Sequence, residues 1–360
     1  MNESDNWKGL IAQLPLRDYK YVFLAPVFND YQCAVQLLQE LNAAPRDQMT
    51  GRTLVLLVDD NSPNYDPNEL AAFDGDMTVA VLRLRTNLGH QRAIATGLGY
   101  LSHWVADDCT VAVLDADGED RPADAWRLLG LAQSNPGAVV VANRSERLES
   151  LSFRVGYRIY RRLYQLLTGH TIRHGNFCAM SGVLVRQFAY LPSLWNHIAA
   201  TVFKSRIPVT TIEARRGKRY SGTSRMNLVS LTAHGLSAIS VHIEAVGIRI
   251  LVASVALGLL ALISSLALLG VRLFTTLSIP GVISILTVMF ALLSFLSMSF
   301  ALQLVFSVLA ARERKATIPA IDSAALIHSV QVIRGPSIKP SSNPMQPIFA
   351  QAGEREALVI

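Results

Sequence analysis

Residues 111–122 read Val-Ala-Val-Leu-Asp-Ala-Asp-Gly-Glu-Asp-Arg-Pro, a short apolar run that ends abruptly in acidic residues. The apolar run predicts a buried strand, and Pro122 is well placed to begin a helix. The carboxylates then lie at the C-terminal end of a strand, where open α/β sheets bind ligands. There, Asp115 and Asp117 could hold a hard divalent cation, which in turn could hold phosphates. The same residues also fit an acidic turn in which one aspartate caps the helix.

Around this run, short apolar segments alternate with segments of helical periodicity. We predict strands at residues 21–26, 53–58, 79–84 and 138–142, and helices at residues 31–41, 91–105 and 122–132. This alternation predicts a doubly wound, largely parallel α/β sheet.

Polar residues follow two of the other strands as well. They are Asn29-Asp30 after the first strand and Asp59-Asp60 after the second. Parallel strands would bring these turns and the acidic run to one edge of the sheet. Acidic groups collected there could bind the hydroxyls of a ribose, the edge of a base and a metal-bound diphosphate. Each turn by itself could also be structural.

Two long stretches of the C-terminal half, residues 250–270 and 274–311, are apolar and carry no charge. Each exceeds the ~20 residues that a helix needs to cross a bilayer. They predict two transmembrane helices, at about 249–271 and 281–310, which form a hairpin within residues 246–311. A hairpin buried in a protein core is the alternative.

The net charge of +6 is concentrated beside these stretches. Arginine and lysine are frequent between residues 154 and 225 and again at residues 312–315, whereas the loop between the spans has one arginine. The positive-inside rule then places both chain ends in the cytoplasm. Because the basic residues cluster beside the spans, nucleic-acid binding is not indicated. Residues 9–16 are too short for a signal peptide, and the three cysteines lack metal or redox spacing, which fits a reducing compartment.

Residues 151–167 predict an amphipathic helix in which apolar residues recur every four positions among arginines. It suits the headgroup plane of a membrane, with a packed helix that exposes a basic face as the alternative. Residues 227–245 predict a second interfacial helix, and residues 312–360 a mostly disordered cytoplasmic tail. The expected membrane-interface residues are Arg154, Arg158, Arg161 and Arg162.

Between these helices, residues 215–225 mix arginine and lysine with glycine and serine. This composition predicts a mobile loop that can wrap phosphate, because arginine supplies paired donors and glycine lets the backbone approach. A solvated basic loop attracted to anionic lipid is the alternative.

Taken in order, these motifs resemble those of family-2 glycosyltransferases with the GT-A fold. Residues 25–30 resemble the family's Pro-x-x-Asn-Glu motif, 58–62 its Val-Asp-Asp-Gly-Ser motif, and 87–93 its Asn-x-Gly-x-x-x-Ala helix start. Residues 115–122 resemble its Asp-x-Asp metal motif with a trailing Gln-Asp-x-Pro, 143–144 the arginine that closes the next strand, and 216–224 its Arg-x-x-Gly-x-Ser loop. Order and spacing agree over about residues 20–226.

The C-terminal hairpin narrows the resemblance to polyprenyl-phosphate glycosyltransferases, such as the dolichyl-phosphate mannose synthases and the bacterial undecaprenyl-phosphate sugar transferases. The resemblance implies a lead-in at residues 1–19 and a GT-A catalytic domain, Rossmann-like with a mostly parallel sheet, at residues 20–226. Interfacial amphipathic helices and the two-helix transmembrane hairpin would follow.

The resemblance also implies an inverting, metal-dependent hexosyl- or pentosyltransferase. It would move one sugar from a UDP- or GDP-linked donor, with UDP slightly favoured, to a polyprenyl phosphate. The reaction would serve a cell-envelope glycan or lipid at the cytoplasmic face of the bacterial inner membrane. A homo-oligomer is compatible with this picture.

Site residues are expected from the same motifs. Mg²⁺ or Mn²⁺ is expected on Asp115, Asp117 and Glu119, with Asp117 and Asp115 as catalytic residues. The residues expected to bind the nucleotide sugar are Pro26, Asn29, Asp30, Asp59, Asp60, Asn87, Asp115, Ala116 and Asp117. Those expected at the acceptor phosphate and its loop are Arg144, Arg216, Arg219, Ser221 and Arg225.

The chain departs from the family pattern at a few positions. Asp30 replaces a glutamate, Asn61 a glycine, and Glu119 a glutamine, while residues 173–177 lack the acid of a related Asp-x-Gly-x-Phe pattern. No catalytic base is therefore assigned. A phosphate monoester, with a second pKa near ~6, is largely ionised at neutral pH and needs little help from a base.

Two other functions fit the same sequence. One is a membrane family-2 enzyme that acts on a glycan or a lipid-linked oligosaccharide, although the Gln-x-x-Arg-Trp motif of long processive synthases is absent. The other is a non-catalytic membrane scaffold that keeps the GT-A fold.

Overall fold

The structure is a computed structural model, which describes residues 16–45, 49–144, 151–171, 174–222, 228–274, 281–313 and 315–335. The chain divides into two units. The first comprises residues 1–155, 172–241 and 317–360, and the second comprises residues 156–171 and 242–316. The predicted lead-in falls almost wholly on residues 1–15, outside the described residues.

The first unit holds the sheet. Its strands are β1 (Tyr19–Val27), β2 (Arg52–Asp59), β3 (Thr78–Leu84), β4 (Thr110–Val113), β5 (Val139–Arg144), β6 (Cys178–Ser181), β7 (Val209–Ala214) and β8 (Ile327–Arg334). Their order across the sheet is β7-β5-β6-β4-β1-β2-β3-β8. β1 is parallel to β2 and β4, β2 to β3, and β5 to β7, while β6 and β8 run antiparallel to their neighbours. The prediction of a mostly parallel α/β sheet is confirmed.

The helices alternate with the strands as far as β5. They are α1 (Tyr31–Ala43), α2 (Pro67–Ala71), α3 (His90–Ser102), α4 (Pro122–Ser134), α5 (Leu151–Thr168), α6 (Gly182–Ala189), α7 (Ile198–Lys204), α8 (Leu228–Ser240), α9 (Ile243–Phe274), α10 (Val282–Glu313) and α11 (Pro319–Asp322). The predicted helices correspond to α1, α3 and α4, and α4 begins at Pro122 as expected. The elements that the sequence pattern missed are α2, β6, α6, α7, β7, α11 and β8.

β1 lies at the centre of the core and is buried on both faces. Val22 and Leu24 join an apolar layer with α3, while Phe23 joins the opposite layer with α1 and α4. Burial on both faces explains why β1 is a continuous apolar run rather than an alternating one. The ring of Trp126 lies 4.8 Å from that of Phe23, and its Nε1–H donates to the Leu41 carbonyl at 3.0 Å. Burying a side chain such as Phe23 stabilises the fold by about 1.5–3 kcal/mol.

The predicted disordered tail is wrong for its first part. Residues 319–334 form α11, a short 3₁₀ turn and β8, which pairs with β3 from Ile327 opposite Leu84 to Arg334 opposite Val79. α11 packs closely on α3, because a Cβ added to Gly99 would lie 2.5 Å from the Pro319 carbonyl oxygen. β8 covers the edge of β3, which would otherwise expose unpaired backbone groups. Residues 336–360 lie outside the described residues.

In the second unit, α9 and α10 form an antiparallel pair of 32 residues each. Both are long and apolar enough to cross a membrane, and large apolar side chains such as Ile263 and Phe295 are exposed. Small residues line their contact: Ser294 Oγ donates to the Gly258 carbonyl at 2.9 Å, and Ser297 Oγ to that of Ser254 at 2.6 Å. Such contacts are common between membrane helices. Membrane crossing itself stays a prediction.

The C-terminal half of α5 packs against the start of α9. The Tyr164 and His242 rings lie 6.2 Å apart, and Arg249 donates to the Leu166 carbonyl at 2.9 Å. The side chains of residues 151–157, Arg154 included, lie outside the described residues. α8 ends at Ser240, so the helix predicted at 227–245 does not run directly into the first span. The side chains of Arg158, Arg161, Arg162, Leu163 and Leu166 are exposed.

Candidate active site

The polar turns after β1, β2 and β4 lie at one edge of the sheet, because these strands are parallel neighbours. Asn29-Asp30 follows β1, Asp59-Asp60 closes β2, and Asp115 and Asp117 follow β4. Backbone contacts tie the turns together: the Asp60 N–H donates to the Val27 carbonyl at 2.9 Å. The edge therefore collects carboxylates from three strands.

The turn after β4, residues 115–120, is termed the acidic turn. The carboxylate of Asp120 is buried and accepts the Asp115 N–H at 2.9 Å. Asp117 Oδ1 accepts the Glu119 N–H at 3.0 Å. Burial, followed by the charge of Asp115, raises the pKa of Asp117. The acidic turn thus holds Asp115 and Asp117 close enough to repel each other.

Residues 215–222, termed the arginine segment, lie on the acidic turn. The Gly217 N–H donates to the Glu119 carbonyl and the Tyr220 N–H to the Asp117 carbonyl, both at 2.9 Å. Gly118 has φ +88°, and a Cβ there would lie 2.7 Å from the Tyr220 ring. Glycine is therefore required both for the backbone conformation of the turn and for the approach of the segment.

Arg219 joins the acidic turn to the end of β1. Its guanidinium donates to Asp117 Oδ2 at 2.8 Å and to Asp30 Oδ2 at 3.0 Å, and its Nε–H donates to the Ser221 carbonyl at 3.1 Å. The Arg219, Asp117 and Asp30 side chains are about one-fifth to one-quarter exposed. Charge-assisted bonds in such a setting are stronger than those of a fully solvated pair.

The structure does not assemble the expected three-carboxylate metal set. The carboxylate of Glu119 pairs with Arg216. Within the described residues, no three His, Cys, Asp or Glu side chains are grouped so as to hold a metal ion. The chemistry of Asp115 and Asp117 still fits a hard divalent cation, because both supply anionic oxygen and their repulsion would be relieved by it.

Asp59 and Asp60 have different surroundings. Asp59 is fully buried, accepts the Ser62 N–H at 3.2 Å, and lies 3.4 Å from Arg83 Nε. Asp60 accepts the N–H groups of Leu88 and Gly89 at 2.7 and 2.9 Å. Burial raises the pKa of Asp60, and these two backbone bonds oppose the shift. Both carboxylates therefore shape the protein's own turns.

A chain of hydrogen bonds that the sequence did not predict ends beside Asp115. The Ile198 N–H donates to Gln91 Oε1 at 2.9 Å, Gln91 Nε2 donates to Asn176 Oδ1 at 3.0 Å, and Asn176 Nδ2 lies 2.9 Å from His90 Nε2. Because a backbone N–H can only donate, it sets the orientation of both amides, and Asn176 donates to His90. His90 Nε2 lies 3.3 Å from Asp115 Oδ1. Asn176 lies in residues 173–177, which resemble the family's Asp-x-Gly-x-Phe pattern without its acidic residue. That resemblance was the only feature of the sequence that could have pointed to Asn176.

Two buried histidines, His174 and His197, and the partly buried His234 lie near this series of hydrogen bonds. His197 caps the N-terminus of α7: its Nδ1 accepts the Ala200 N–H at 3.3 Å, and its Nε2 lies 3.2 Å from His234 Nε2. Burial, with smaller contributions from His234, His90 and His174, lowers the pKa of His197 to about 3. Burial also lowers the pKa of His174. His197 is therefore neutral in the folded protein at neutral pH.

The remaining expected residues are spread around the same edge. Pro26 and Ala116 are buried, Asn87 is exposed, and the Asn29 N–H donates to Ser62 Oγ at 2.9 Å. Ser221 Oγ lies 3.2 Å from Cys33 Sγ. The side chain of Arg144 and the whole of Arg225 lie outside the described residues.

A surface cavity of about 520 Å³ borders the arginine segment. The end of α1, the start of α4 and the segment itself form its walls. Arg121 and Lys218 line it with Glu40, which accepts the Tyr220 hydroxyl at 2.8 Å. The cavity is a recess with basic side chains beside the acidic turn.

Residues 23–192, just under half of the chain, match the family model described as Glycosyl transferase family 2. This stretch begins within β1, includes β2 to β6 and the three polar turns, and ends before the arginine segment. The match agrees with the predicted glycosyltransferase domain over these residues and supports the prediction of a glycosyltransferase enzyme. Comparison with curated protein sequences finds no match.

Solved structures similar to this chain include three sugar transferases. Mannosyl-3-phosphoglycerate synthase from Rubrobacter xylanophilus is 18% identical, with 77% of this chain and 87% of that chain covered and a TM-score of 0.43. Glucosyl-3-phosphoglycerate synthase from Mycobacterium tuberculosis, in complex with Mn²⁺, UDP and phosphoglyceric acid, is 14% identical, with 64% and 79% covered and a TM-score of 0.46.

The third is a mannosyltransferase from Pyrobaculum calidifontis in complex with GDP-Man and Mn²⁺. It is 15% identical, with 84% of this chain and 89% of that chain covered and a TM-score of 0.38. The ion and nucleotides in these complexes are of the kinds expected for this chain. At such identities and TM-scores, the likeness says nothing about the substrate of this chain.

Proposed function

We propose that this protein is a membrane-anchored, inverting glycosyltransferase that moves one sugar from a nucleotide sugar to a polyprenyl phosphate. The observation that carries the proposal is the contact of Arg219 with Asp30 and Asp117, beside Asp115, at the carboxyl edge of the sheet. The same chain carries two helices that are long and apolar enough to span a membrane.

Asp115 and Asp117 would hold Mg²⁺ or Mn²⁺, with oxygens of the donor diphosphate completing its coordination. The cation would neutralise charge on the departing diphosphate as a Lewis acid. The Asp120 carboxylate orients Asp115 by accepting its backbone N–H. Glu119 is left out of this set because Arg216 pairs with it.

The nucleotide would lie along the ends of β1 and β2. Asn29 and Asp30 would contact it directly, since both side chains are only partly buried. Asp60 would act indirectly, because its two backbone bonds fix the loop before α3. That loop carries the exposed side chain of Asn87 beside the same edge.

The acceptor phosphate would be bound by cationic side chains around the acidic turn. Arg219, Arg216 and Lys218 on the arginine segment and Arg121 at the start of α4 supply guanidinium and ammonium donors there. Arginine is suited to a phosphate because its paired donors match two oxygens. Arg144, Ser221 and Arg225 are proposed at the same subsite from the family resemblance.

The lipid part of the acceptor is proposed from the second unit. α9 and α10 expose large apolar side chains along most of their length, as a lipid environment requires. α5 exposes Leu163 and Leu166 next to Arg158, Arg161 and Arg162, a combination that suits the headgroup region. The distribution of basic residues supports a cytoplasmic catalytic domain. A bacterial inner membrane with undecaprenyl phosphate as acceptor is proposed from the family resemblance.

The proposal is tested by incubating the purified full chain with a polyprenyl phosphate and a panel of UDP-, GDP- and dTDP-sugars. We expect one donor to give a lipid-linked monosaccharide that requires Mn²⁺ or Mg²⁺. Transfer to a glycan or a lipid-linked oligosaccharide, but not to polyprenyl phosphate, would contradict the acceptor. Failure to bind any nucleotide sugar in the presence of Mn²⁺ would favour a non-catalytic scaffold.

A further inference from the structure

We propose that Arg219 and the divalent cation compete for Asp117, so that cation binding displaces the Arg219 guanidinium from the acidic turn. The proposal rests on the proposed function in one respect, the assignment of the cation to Asp115 and Asp117. It adds a residue that regulates the occupancy of that site.

The carboxylate of Asp117 has two hydrogen-bond donors in the structure. Its Oδ1 accepts the Glu119 N–H at 3.0 Å and its Oδ2 accepts from Arg219 at 2.8 Å, so both oxygens have a donor. A cation bound by Asp117 would lie within a few ångströms of the guanidinium. Two positive charges this close repel, and they do so more strongly in a partly buried environment than in bulk water. The two cations therefore exclude each other.

Asp30 is the second carboxylate that Arg219 contacts. Arg219 spans Asp117 and Asp30, which belong to different strands, so one guanidinium balances two carboxylates. Asp30 is itself expected at the nucleotide. Binding of a metal–nucleotide pair would therefore displace both contacts of Arg219 at the same time.

The backbone of the arginine segment is bound to the acidic turn independently of the Arg219 side chain. Gly217 and Tyr220 bind the acidic turn through main-chain hydrogen bonds that do not involve the Arg219 side chain. The segment can therefore remain on the turn while the guanidinium moves. The displaced guanidinium stays at the same edge, where an anionic group of a substrate would be its next partner.

Removing the positive side chain of Arg219 should therefore increase the affinity of the site for the cation. The measurement is a Mn²⁺ titration of the full chain in detergent without nucleotide, followed by the electron paramagnetic resonance signal of free Mn²⁺. Arg219→Gln should bind Mn²⁺ about 10-fold more tightly than the wild type, since a charge-assisted competitor is gone. Arg219→Lys, which keeps the charge but not the two-carboxylate bridge, should fall between them.

Arg216→Gln is the matched control, because Arg216 lies on the same segment but pairs with Glu119. It should bind Mn²⁺ as the wild type does. If Arg216→Gln tightens binding as much as Arg219→Gln, the effect is general charge removal and the competition is refuted. Unchanged or weaker binding by folded Arg219→Gln also refutes it.

Asp117→Asn separates this proposal from the proposed function. It should lose the Mn²⁺ site while keeping a cooperative thermal transition. If it binds Mn²⁺ like the wild type, the cation assignment itself is wrong. If it loses the site but Arg219→Gln does not tighten binding, the cation assignment stands and only the competition fails.

Discussion

Asp59-Asp60 and Asp115–Asp117 both follow parallel strands at one edge of the sheet, yet their contacts differ. Asp59 and Asp60 are buried, and backbone N–H groups of neighbouring loops donate to them. Asp117 is partly exposed: one of its oxygens accepts the Glu119 N–H, and the other accepts from the side chain of Arg219, which can move. An acidic pair after a strand is therefore not a ligand site by itself. The hydrogen-bond donors around the pair determine whether its carboxylates stabilise the turn or can bind a ligand.

The comparison predicts its largest effect at Asp117. Asp117→Asn should lower transfer on the order of 10³-fold, because loss of a cation ligand removes several kcal/mol of transition-state stabilisation. The rate of lipid-linked product formation at saturating Mn²⁺ measures it. Asp108→Asn is the control, since Asp108 is exposed and pairs with Lys20 away from the acidic turn. A rate for Asp117→Asn within tenfold of that control would refute the assignment of Asp115–Asp117, rather than Asp59-Asp60, to ligand binding.

Asp60→Asn should act on stability instead. An asparagine oxygen can accept from Leu88 or Gly89, but its amide nitrogen would face the other N–H, so unfolding should be easier by about 1–3 kcal/mol. Urea unfolding of the full chain in detergent, followed by tryptophan fluorescence, gives the change. Unaltered stability combined with a complete loss of transfer would show that Asp60 contacts substrate.

The buried histidines extend the comparison to pH. Since the folded pKa of His197 is lowered to about 3, the unfolded chain takes up a proton below about pH 6.5 while the folded chain does not. Stability should therefore fall as the pH falls from 6.5, by at most about 1.4 kcal/mol per pH unit for this group. His197→Asn keeps a helix-capping side chain and should make the fall shallower, with His174 and His103 accounting for part of the remainder. Urea unfolding at pH 6.5 and 5.5 gives the free energy of unfolding of both proteins. An equal fall between these pH values in the wild type and in His197→Asn would refute the prediction.

The smallest effect is expected at Tyr220. Tyr220→Phe removes the hydroxyl that donates to Glu40 at 2.8 Å but keeps the ring on Gly118. A single hydrogen bond of this kind contributes about 0.5–1.5 kcal/mol, so transfer should change by about tenfold at most. Steady-state transfer rates test this, and a loss comparable with that of Asp117→Asn would mean that the hydroxyl contacts substrate.

The sequence predicts the sheet edge well because apolar runs and acidic turns are local patterns. Asp30, Asp115 and Asp117 lie where strand order requires. Local patterns do not reveal which donor a carboxylate meets: the Arg219–Asp30 contact joins residues 189 positions apart. The Ile198–Gln91–Asn176–His90 chain is invisible for the same reason. β8 was missed because its partner β3 lies far from it in the sequence, and no local pattern shows that pairing.

The most direct test of the cation site is the Mn²⁺ dependence of nucleotide binding, measured by isothermal titration with UDP and GDP. For the wild type and for Asp60→Asn, we predict that one nucleotide binds at least about tenfold more tightly with Mn²⁺ than with EDTA, because the cation bridges the diphosphate to Asp115 and Asp117. For Asp117→Asn, Mn²⁺ should make no difference. Full Mn²⁺ dependence in folded Asp117→Asn would contradict the account.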